Sequence, residues 1–264
     1  MNDRPKLFPI RWRIFSIAVA LGGLVYFQQR SLSVAGERIM PALSLSQMQL
    51  GWLQWAFIVS YGCLQFPGGL YGQRVGARHA LVITGHVAVA ATVVLPLAPA
   101  ILSGTALFAV LLAVQFALGA AHAPFFPVSA GVFEAWLPTR RWAFAIGLQT
   151  LGCQIGAAVA PPIIVFLMQA FGWQRALFWS ALPALALIAL WAWYGRNRPQ
   201  EHPSVSAQEL AKIGHVRTSS RDTGVDFGRI RRLLVQRSAQ ALAAVLPTLP
   251  ARVVDRAGAI GWFH

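Results

Sequence analysis

The stretch HALVITGHVAVAATVVLPLAPAILSGTALFAVLLAVQFALGAAHAPFFPVSAGVF, residues 79–133, decides the class of this protein. It contains no Asp, Glu, Lys or Arg, and most of its side chains are apolar. A helix needs about 20 mostly apolar residues to span a bilayer, so the stretch is long enough for two helices. Pro, Ser and Gly residues within 96–104 predict a turn between them. We therefore predict membrane spans at 79–98 and 104–128.

Further charge-free segments lie on both sides of this stretch. The whole chain is 56% hydrophobic and only 11% charged, whereas a soluble domain averages about 25% charged residues. So little charge cannot cover the surface of a water-soluble protein of this size. We predict an all-α membrane protein with a bundle of six transmembrane helices, spans 1–6, at residues 14–35, 50–71, 79–98, 104–128, 142–170 and 175–195.

The basic residues between the spans predict the orientation of the chain. Lys and Arg precede span 1, lie in the loops after spans 2 and 4, and follow span 6, while the opposite loops carry only Arg38 and Arg175. By the positive-inside rule, both chain ends are expected in the cytoplasm, with the protein in the plasma (inner) membrane. The predicted organisation is a cytoplasmic N-terminus at 1–13, the six-helix bundle at 14–195, and a basic, disordered cytoplasmic tail at 196–264.

Charge and composition also exclude several function classes. The net charge is +14, but the basic residues form no stripe along a polar helix face, which argues against nucleic-acid binding. Glu134 is the only acidic residue between Glu37 and Glu201, so no catalytic set, metal site or cofactor is predicted. Cys63 and Cys153 lie within apolar spans and are interpreted as packing residues rather than a disulfide framework.

The loop between spans 2 and 3 carries the segment GLYGQRVGAR at 69–78. It resembles the Gly-x-Leu-Ala-Asp-Arg-x-Gly-x-Arg signature of the major facilitator superfamily of transporters. The resemblance implies a tight glycine turn and a latch between two transporter halves, at Gly69, Gln73, Arg74, Gly76 and Arg78. Gln73 stands where the family has Asp, which removes the charge partner of the latch. The alternative is a plain basic loop that only obeys the positive-inside rule.

Span 4 holds GAAHAPFFP at 119–127, preceded by Gln115. This pattern is similar to the anion:cation symporter branch of the same superfamily, with Gln115 at an Arg position and His122 at a Glu position. Residues 115, 119 and 122 share one helix face, and the resemblance implies that this face points into a substrate cavity. Two interpretations of His122 stay open: a titrating, proton-coupling group, or a neutral imidazole bonded to a neighbouring helix.

Span 1 ends with YFQQRSLSVA at 26–35, which resembles Tyr-x-Asp-Arg-x-x-Leu-Ser-Val-Ala of that branch. An ungapped alignment places Gln28 on the Asp and Gln29 on the Arg, and Arg30 follows about 100° further around the helix. The resemblance implies that an Arg here binds a substrate carboxylate, which suits a planar guanidinium. Arg30 either takes this role or extends to the outer membrane interface.

Span 5 is rich in small residues, with Gly147, Gly152 and Gly156. They predict close helix packing, or alternatively a thin helix beside a substrate path. Among the amide side chains of the same span are Gln149 and Gln154. The predicted substrate-binding residues are then Tyr26, Gln29, Arg30, Gln115, His122, Gln149 and Gln154.

The resemblance, which covers about residues 11–213, implies one half of a twelve-helix transporter for a small organic anion of the carboxylate or sugar-acid class. The only apolar patch after span 6, at 239–249, is too short to span a bilayer. We hypothesise that the second half has been lost, by a frameshift near its start, and that the chain transports only when paired with another half. The alternative is a structural or regulatory membrane subunit that pairs with another transporter half.

Overall fold

A computed structural model describes residues 9–213, and every regular element in that range is helical. The helices are α1 (Ile10–Leu43), α2 (Gln47–Val75), α3 (Ala77–Leu97), α4 (Gly104–His122), α5 (Phe125–Trp136), α6 (Trp142–Phe171), α7 (Trp173–Tyr194) and α8 (Ala207–Ile213). Short 3₁₀ turns occur at Ala98–Ala100, Thr139–Arg141 and Pro199–Glu201. The predicted apolar patch at 239–249, and the part of the predicted disordered tail beyond residue 213, lie outside the described residues.

Five segments of the described chain are long and apolar enough to cross a membrane: Ile10–Leu43, Ala77–Ala100, Gly104–Trp136, Thr139–Phe171 and Trp173–Tyr194. They correspond to predicted spans 1, 3, 4, 5 and 6. Predicted span 2 is α2, whose 29 residues extend about 43 Å at the helical rise of 1.5 Å per residue. It is long enough to span, but repeated glutamines lower its hydropathy below that of the other five. Together α1–α7 form a membrane half-bundle, which confirms the predicted fold class.

Two helix boundaries differ from the prediction. α1 runs on to Leu43, well past the predicted end at residue 35. Predicted span 4 reaches Trp136 rather than residue 128, and it is interrupted between α4 and α5. Pro124 and Pro127 flank the start of α5, and each removes a backbone N–H donor from the helix. The helix therefore breaks at Pro124 and restarts at Phe125.

Glycines bring α1 and α6 into close contact. A Cβ atom at Gly156 would overlap the backbone carbonyl oxygen of Gly23, and a Cβ at Gly152 would lie 2.5 Å from a methyl of Val19. By contrast, a Cβ at Gly147 would meet nothing within 4 Å. The packing interpretation of span 5 is thus confirmed for Gly152 and Gly156. The other extensive pairings of the half-bundle are α2 with α4 and α3 with α7.

The segment that follows α7 folds back onto the end of the half-bundle where α1 begins. Trp136, which is buried, donates its indole N–H to the carbonyl oxygen of Arg196 at 3.2 Å, and the rings of Tyr194 and His202 lie 4.8 Å apart. From α8, Glu209 accepts a hydrogen bond from the backbone N–H of Arg11 at 3.0 Å. The first turn of α1 has no capping side chain of its own, so Glu209 supplies the missing acceptor.

Candidate functional site

A chain of hydrogen bonds links three helices inside the half-bundle. The hydroxyl of Thr92 on α3 donates to the carbonyl oxygen of Ala88 at 2.8 Å. Gln28 on α1 donates its amide N–H to the Thr92 hydroxyl at 3.2 Å, and Nε2 of His122 on α4 lies 3.2 Å from Oε1 of Gln28. The side chains of Gln28, Thr92 and His122 are all buried, so this chain is shielded from lipid by the surrounding helices. We call these three residues the interior chain.

The helix face that carries Gln115, Gly119 and His122 packs inside the half-bundle. A Cβ at Gly119 would overlap the Phe57 carbonyl oxygen and the Ser60 hydroxyl on α2, and the Phe57 ring lies edge-on to the imidazole of His122 at 5.8 Å. Gln115 and His122 are only 3% and 2% exposed. The resemblance implied that this face opens into a cavity, whereas the structure places it against α2 and α1. Of the two interpretations of His122, the structure has the imidazole bonded to a neighbouring helix.

The two predicted substrate-binding amides of span 5 lie in different surroundings. Gln149 is buried and donates its amide N–H to the hydroxyl of Ser129 on α5 at 2.7 Å. Gln154 is exposed on the surface of α6. Gln29 on α1 is half-buried. The sequence-predicted set is therefore divided, with Gln115, His122 and Gln149 inside the half-bundle and Gln154 on its surface.

A second polar group lies on the surface of the half-bundle, formed by α1 and α2. Arg30 is exposed and lies one helical turn after the half-buried Tyr26 on α1. Tyr61 of α2 lies close to Tyr26, and Gln65 follows one turn later on α2, near the Tyr61 side chain. The ring of Tyr26 packs edge-on against Phe126 at 6.2 Å. We call Tyr26, Arg30, Tyr61 and Gln65 the Arg30 cluster, and the surface that carries it the open face.

Sequence analysis missed two members of this cluster. Tyr61 and Gln65 are one helical turn apart on α2, so their spacing places them on one face of the helix. Two polar side chains one turn apart within a predicted membrane span are the signal that would have found them. They lay outside the motifs that carried the family resemblance.

The length of α1 bears on the depth of Arg30. The helix continues past Arg30 to Leu43, and its next charged residues are Glu37 and Arg38, both exposed. Arg30 and Glu37 are seven positions apart, which is about 10 Å along the axis at the rise of an α-helix. Arg30 thus lies about two turns nearer the middle of α1 than the Glu37–Arg38 pair.

The glycine turn predicted in the loop between spans 2 and 3 is present. Gly76 separates α2 from α3 with φ of 86°, a backbone conformation that glycine adopts without strain. The backbone N–H of Arg78 donates to Oδ1 of Asn197 at 2.8 Å. The guanidinium of Arg78 donates twice to the carbonyl oxygen of Ala192 near the end of α7. Arg78 therefore ties the loop to α7 within the half-bundle.

The remaining residues of the loop signature face different surroundings. Gly69 approaches Pro127 of α5, whereas Gln73 and Arg74 are exposed. The signature thus combines inward-facing residues that fix the loop with residues whose side chains are exposed. Within residues 9–213, no group of three or more His, Cys, Asp or Glu side chains is placed to hold a metal ion.

Three transporters similar in sequence cover most of this chain. A probable sulfoacetate transporter of Cupriavidus necator is 27% identical over 84% of this chain and 50% of its own length. A probable galactarate/D-glucarate transporter of Escherichia coli is 26% identical over 81% of this chain and 48% of its own length. A hexuronate transporter of Bacillus subtilis is 28% identical over 69% of this chain and 42% of its own length. The chain thus spans about half the length of the curated relatives it matches.

Solved structures show the same fold. A bacterial homolog of the human lysosomal transporter Spinster, inward-facing and unoccupied, matches with a TM-score of 0.63 at 18% identity, over 80% of this chain and 48% of that one. The inward-open xylose transporter of Escherichia coli matches with a TM-score of 0.64 at 13% identity, over 90% of this chain and 56% of that one. The Major Facilitator Superfamily profile matches residues 18–255. These relatives are transporters rather than enzymes, and the chain belongs to the Major Facilitator Superfamily.

Proposed function

We propose that this chain forms the N-terminal half of a carrier that moves small organic anions of the carboxylate or sugar-acid class across the bilayer. The Arg30 cluster is the anion-recognition site in this proposal. One observation carries it: Arg30 is the only charged residue of α1 between Arg13 and Glu37, and its side chain is exposed on the open face. A charge at membrane depth is costly, and it usually faces a cavity or a functional path.

The chemistry of the cluster suits an anionic, hydroxyl-bearing substrate. A guanidinium is planar and presents paired N–H donors that match a carboxylate or sulfonate. The hydroxyls of Tyr26 and Tyr61 and the amide of Gln65 add neutral donors and acceptors on the neighbouring helix. The relatives' names, with sulfoacetate, galactarate, D-glucarate and hexuronate, agree with such a substrate.

A second transporter half belongs to the same proposal. The most apolar part of the segment Thr139–Phe171 is only 17% buried, against 39% for each of the other four apolar spans. Large side chains of α6 are exposed at Phe144, Ile146, Leu151, Ile155 and Phe166. We propose that a second six-helix half, from another copy or another protein, packs against the open face and α6. The regulatory-subunit alternative uses the same surface. In either case, we propose that the basic residues at both ends hold the two termini on the cytoplasmic side of the plasma membrane.

Ligand binding by the purified full chain in lipid nanodiscs tests the anion site. D-glucarate and sulfoacetate are the probes, and Arg30→Gln is the test variant. The matched control is Arg38→Gln, since Arg38 lies beside Glu37 in a groove at the far end of α1. We expect Arg30→Gln to weaken anion binding at least tenfold, equivalent to about 1.4 kcal/mol, and Arg38→Gln to leave it unchanged. If the two variants bind the anions equally well, Arg30 is not part of the anion-binding site.

Chemical cross-linking in the membrane tests whether a second transporter half packs against α6. A single cysteine at position 151 of α6, in a background with Cys63 and Cys153 replaced by Ser, places a thiol on the proposed contact surface. We expect cross-linked dimers or a discrete complex with a larger membrane protein. The control is a cysteine at position 87 on α3, also exposed but away from α6. Equal cross-linking at both positions contradicts a specific interface.

A further inference from the structure

A groove with a volume of about 310 Å³ opens between α1 and α6, near the ends of both helices. Small-molecule sites are clefts of about 300–1,000 Å³, so this groove is large enough for a small polar group. One turn of a helix with its side chains, about 10 Å across and about 5.4 Å high, occupies a larger volume. A single small group therefore fits the groove better than a further helix does. We call it the α1–α6 groove.

The polar lining of the α1–α6 groove carries both signs of charge. Glu37 and Arg38 of α1 are both exposed and line the groove. As neighbours in a helix, they leave the axis in directions about 100° apart, so the two opposite charges stand at different points of the groove. The exposed Ser33 and Gln169 add a hydroxyl and an amide, which donate and accept hydrogen bonds. These groups match a ligand that itself carries one cationic and one anionic group.

The rest of the groove lining is apolar. Val34 of α1 and Met168 of α6 are half-buried and pack against a buried cluster that includes Phe27 and Ile164. Val165 completes the apolar lining, and its side chain is exposed. The groove therefore offers an apolar surface beside its charges, which favours a ligand whose polar group is attached to an apolar part.

The position of the groove along the two helices places it at the level of lipid headgroups. α1 has 34 residues and α6 has 30, which correspond to about 51 and about 45 Å at the helical rise. Arg38 is five positions before the end of α1 at Leu43, and Gln169 is two positions before the end of α6 at Phe171. With each helix centred in the bilayer, both residues lie about 18–20 Å from the mid-plane. This distance falls between the hydrocarbon core, about 30 Å thick, and the outer limit of the headgroups, about 40–45 Å apart.

We propose that the α1–α6 groove binds the headgroup of an ethanolamine phospholipid. The guanidinium of Arg38 pairs with the lipid phosphate, and the carboxylate of Glu37 accepts hydrogen bonds from the primary ammonium group. The apolar lining contacts the glycerol and the first methylene groups of the acyl chains. Among the described residues that line the groove, none belongs to the Arg30 cluster. The inference therefore does not depend on anion transport.

Photo-labelling of the full chain in lipid nanodiscs tests the proposal. The probes are photoreactive phosphatidylethanolamine and phosphatidylglycerol, each with a diazirine at the same acyl carbon near the glycerol. Phosphatidylglycerol has the phosphate but lacks the ammonium group. We expect the ethanolamine lipid to label peptides that contain residues 33–38 and 165–169 about threefold more than the glycerol lipid does, which is the size of one exposed ion pair. Equal labelling by the two lipids, or no labelling of these peptides, would overturn the proposal.

Three variants separate the roles of the two charges. Glu37→Gln removes the charge that attracts the ammonium group, so the two lipids should then label the groove about equally. Arg38→Gln removes the partner of the phosphate, so labelling by both lipids should fall about threefold. Arg175→Gln changes an exposed residue near the start of α7 that does not line the groove, and it should leave labelling unchanged. An unchanged preference in Glu37→Gln, or unchanged labelling in Arg38→Gln, contradicts the proposed contacts.

The same labelling distinguishes the lipid from other occupants. Glycerophosphoethanolamine has the headgroup but no acyl chains, so an excess of it should leave the labelling unchanged. Competition by this soluble compound would assign the groove to a soluble zwitterion and contradict the lipid proposal. A second transporter half that fills the groove would leave both peptides unlabelled, which would also contradict it. Arg38→Gln should lose lipid labelling while it keeps its anion affinity, so the two proposals can fail separately.

Discussion

The interior of the half-bundle and its open face use polar residues in opposite ways. Inside, the polar side chains are neutral amides, hydroxyls and an imidazole, and Gln28, Thr92 and His122 bond to one another across three helices. On the open face, the guanidinium of Arg30 is exposed beside two tyrosines. Neutral polar groups can be buried once they are hydrogen-bonded, whereas a charge must stay accessible or paired. The interior chain therefore joins three helices, and the open face leaves the charge of Arg30 accessible.

The largest expected effect comes from adding a methyl group at the tightest contact between α1 and α6. Gly156→Ala places a methyl on the carbonyl oxygen of Gly23, so α1 and α6 must separate. We expect a loss of more than about 4 kcal/mol in the free energy of unfolding, or no folded protein at all. Thermal unfolding in detergent, followed by the reactivity of Cys153, measures it.

Gly147→Ala is the matched control on the same helix, since its methyl would meet nothing within 4 Å. It should unfold like the unmodified chain. If the two variants are equally stable, the glycine contact between α1 and α6 does not hold the half-bundle together.

A glutamine pair compares the interior with the surface directly. Gln28→Leu removes the central member of the interior chain and leaves Nε2 of His122 without its partner, while the Thr92 hydroxyl keeps its bond to Ala88. One unsatisfied buried polar group costs about 1–3 kcal/mol, so we expect a destabilisation in that range. Gln154→Leu changes the same side chain at an exposed position and should shift stability by less than about 0.5 kcal/mol. If both variants change the free energy of unfolding equally, buried and exposed glutamines do not differ in their contribution to stability.

Two arginines of one loop extend the comparison to the end of the bundle. Arg78→Gln removes the guanidinium that donates to the carbonyl oxygen of Ala192, and we expect a loss of about 1 kcal/mol in unfolding free energy. Arg74→Gln changes an exposed neighbour and should be neutral for stability. The same unfolding assay separates them. A larger loss of stability in the Arg74 variant than in the Arg78 variant would contradict the role of Arg78 in fixing the loop.

The smallest effect is expected at the first turn of α1. Glu209→Ala removes the carboxylate that accepts from the backbone N–H of Arg11, and losing a helix N-terminal acceptor costs about 0.5–2 kcal/mol. Because Glu209 is only half-buried, we expect a value near the lower end of that range. Glu201→Ala changes an exposed acidic residue of the same segment and serves as the control. Faster amide hydrogen exchange at Arg11 in the Glu209 variant alone would confirm the cap.

The sequence predicted the spans well because crossing a bilayer imposes a length and an apolar composition that can be read locally. It predicted the glycine turn at residue 76 for a similar reason, since the backbone conformation there favours glycine. The direction of individual side chains was harder to predict. His122 lies on a helix face that the resemblance expected in a cavity, yet it bonds to Gln28 inside the half-bundle. Gly152 and Gly156 predicted a close helix contact, but the local pattern did not identify α1 as the partner helix.

The hydrogen bond between Arg11 and Glu209 joins residues 198 positions apart. Because a ribosome makes the chain from its N-terminus, α1 emerges and inserts long before Glu209 has been translated. The first turn of α1 must therefore rely on water or lipid headgroups for its N–H groups during most of synthesis. Glu209 can accept this hydrogen bond only after the segment that forms α1–α7 has been translated. The last described helix therefore supplies the acceptor for the first turn of the first helix.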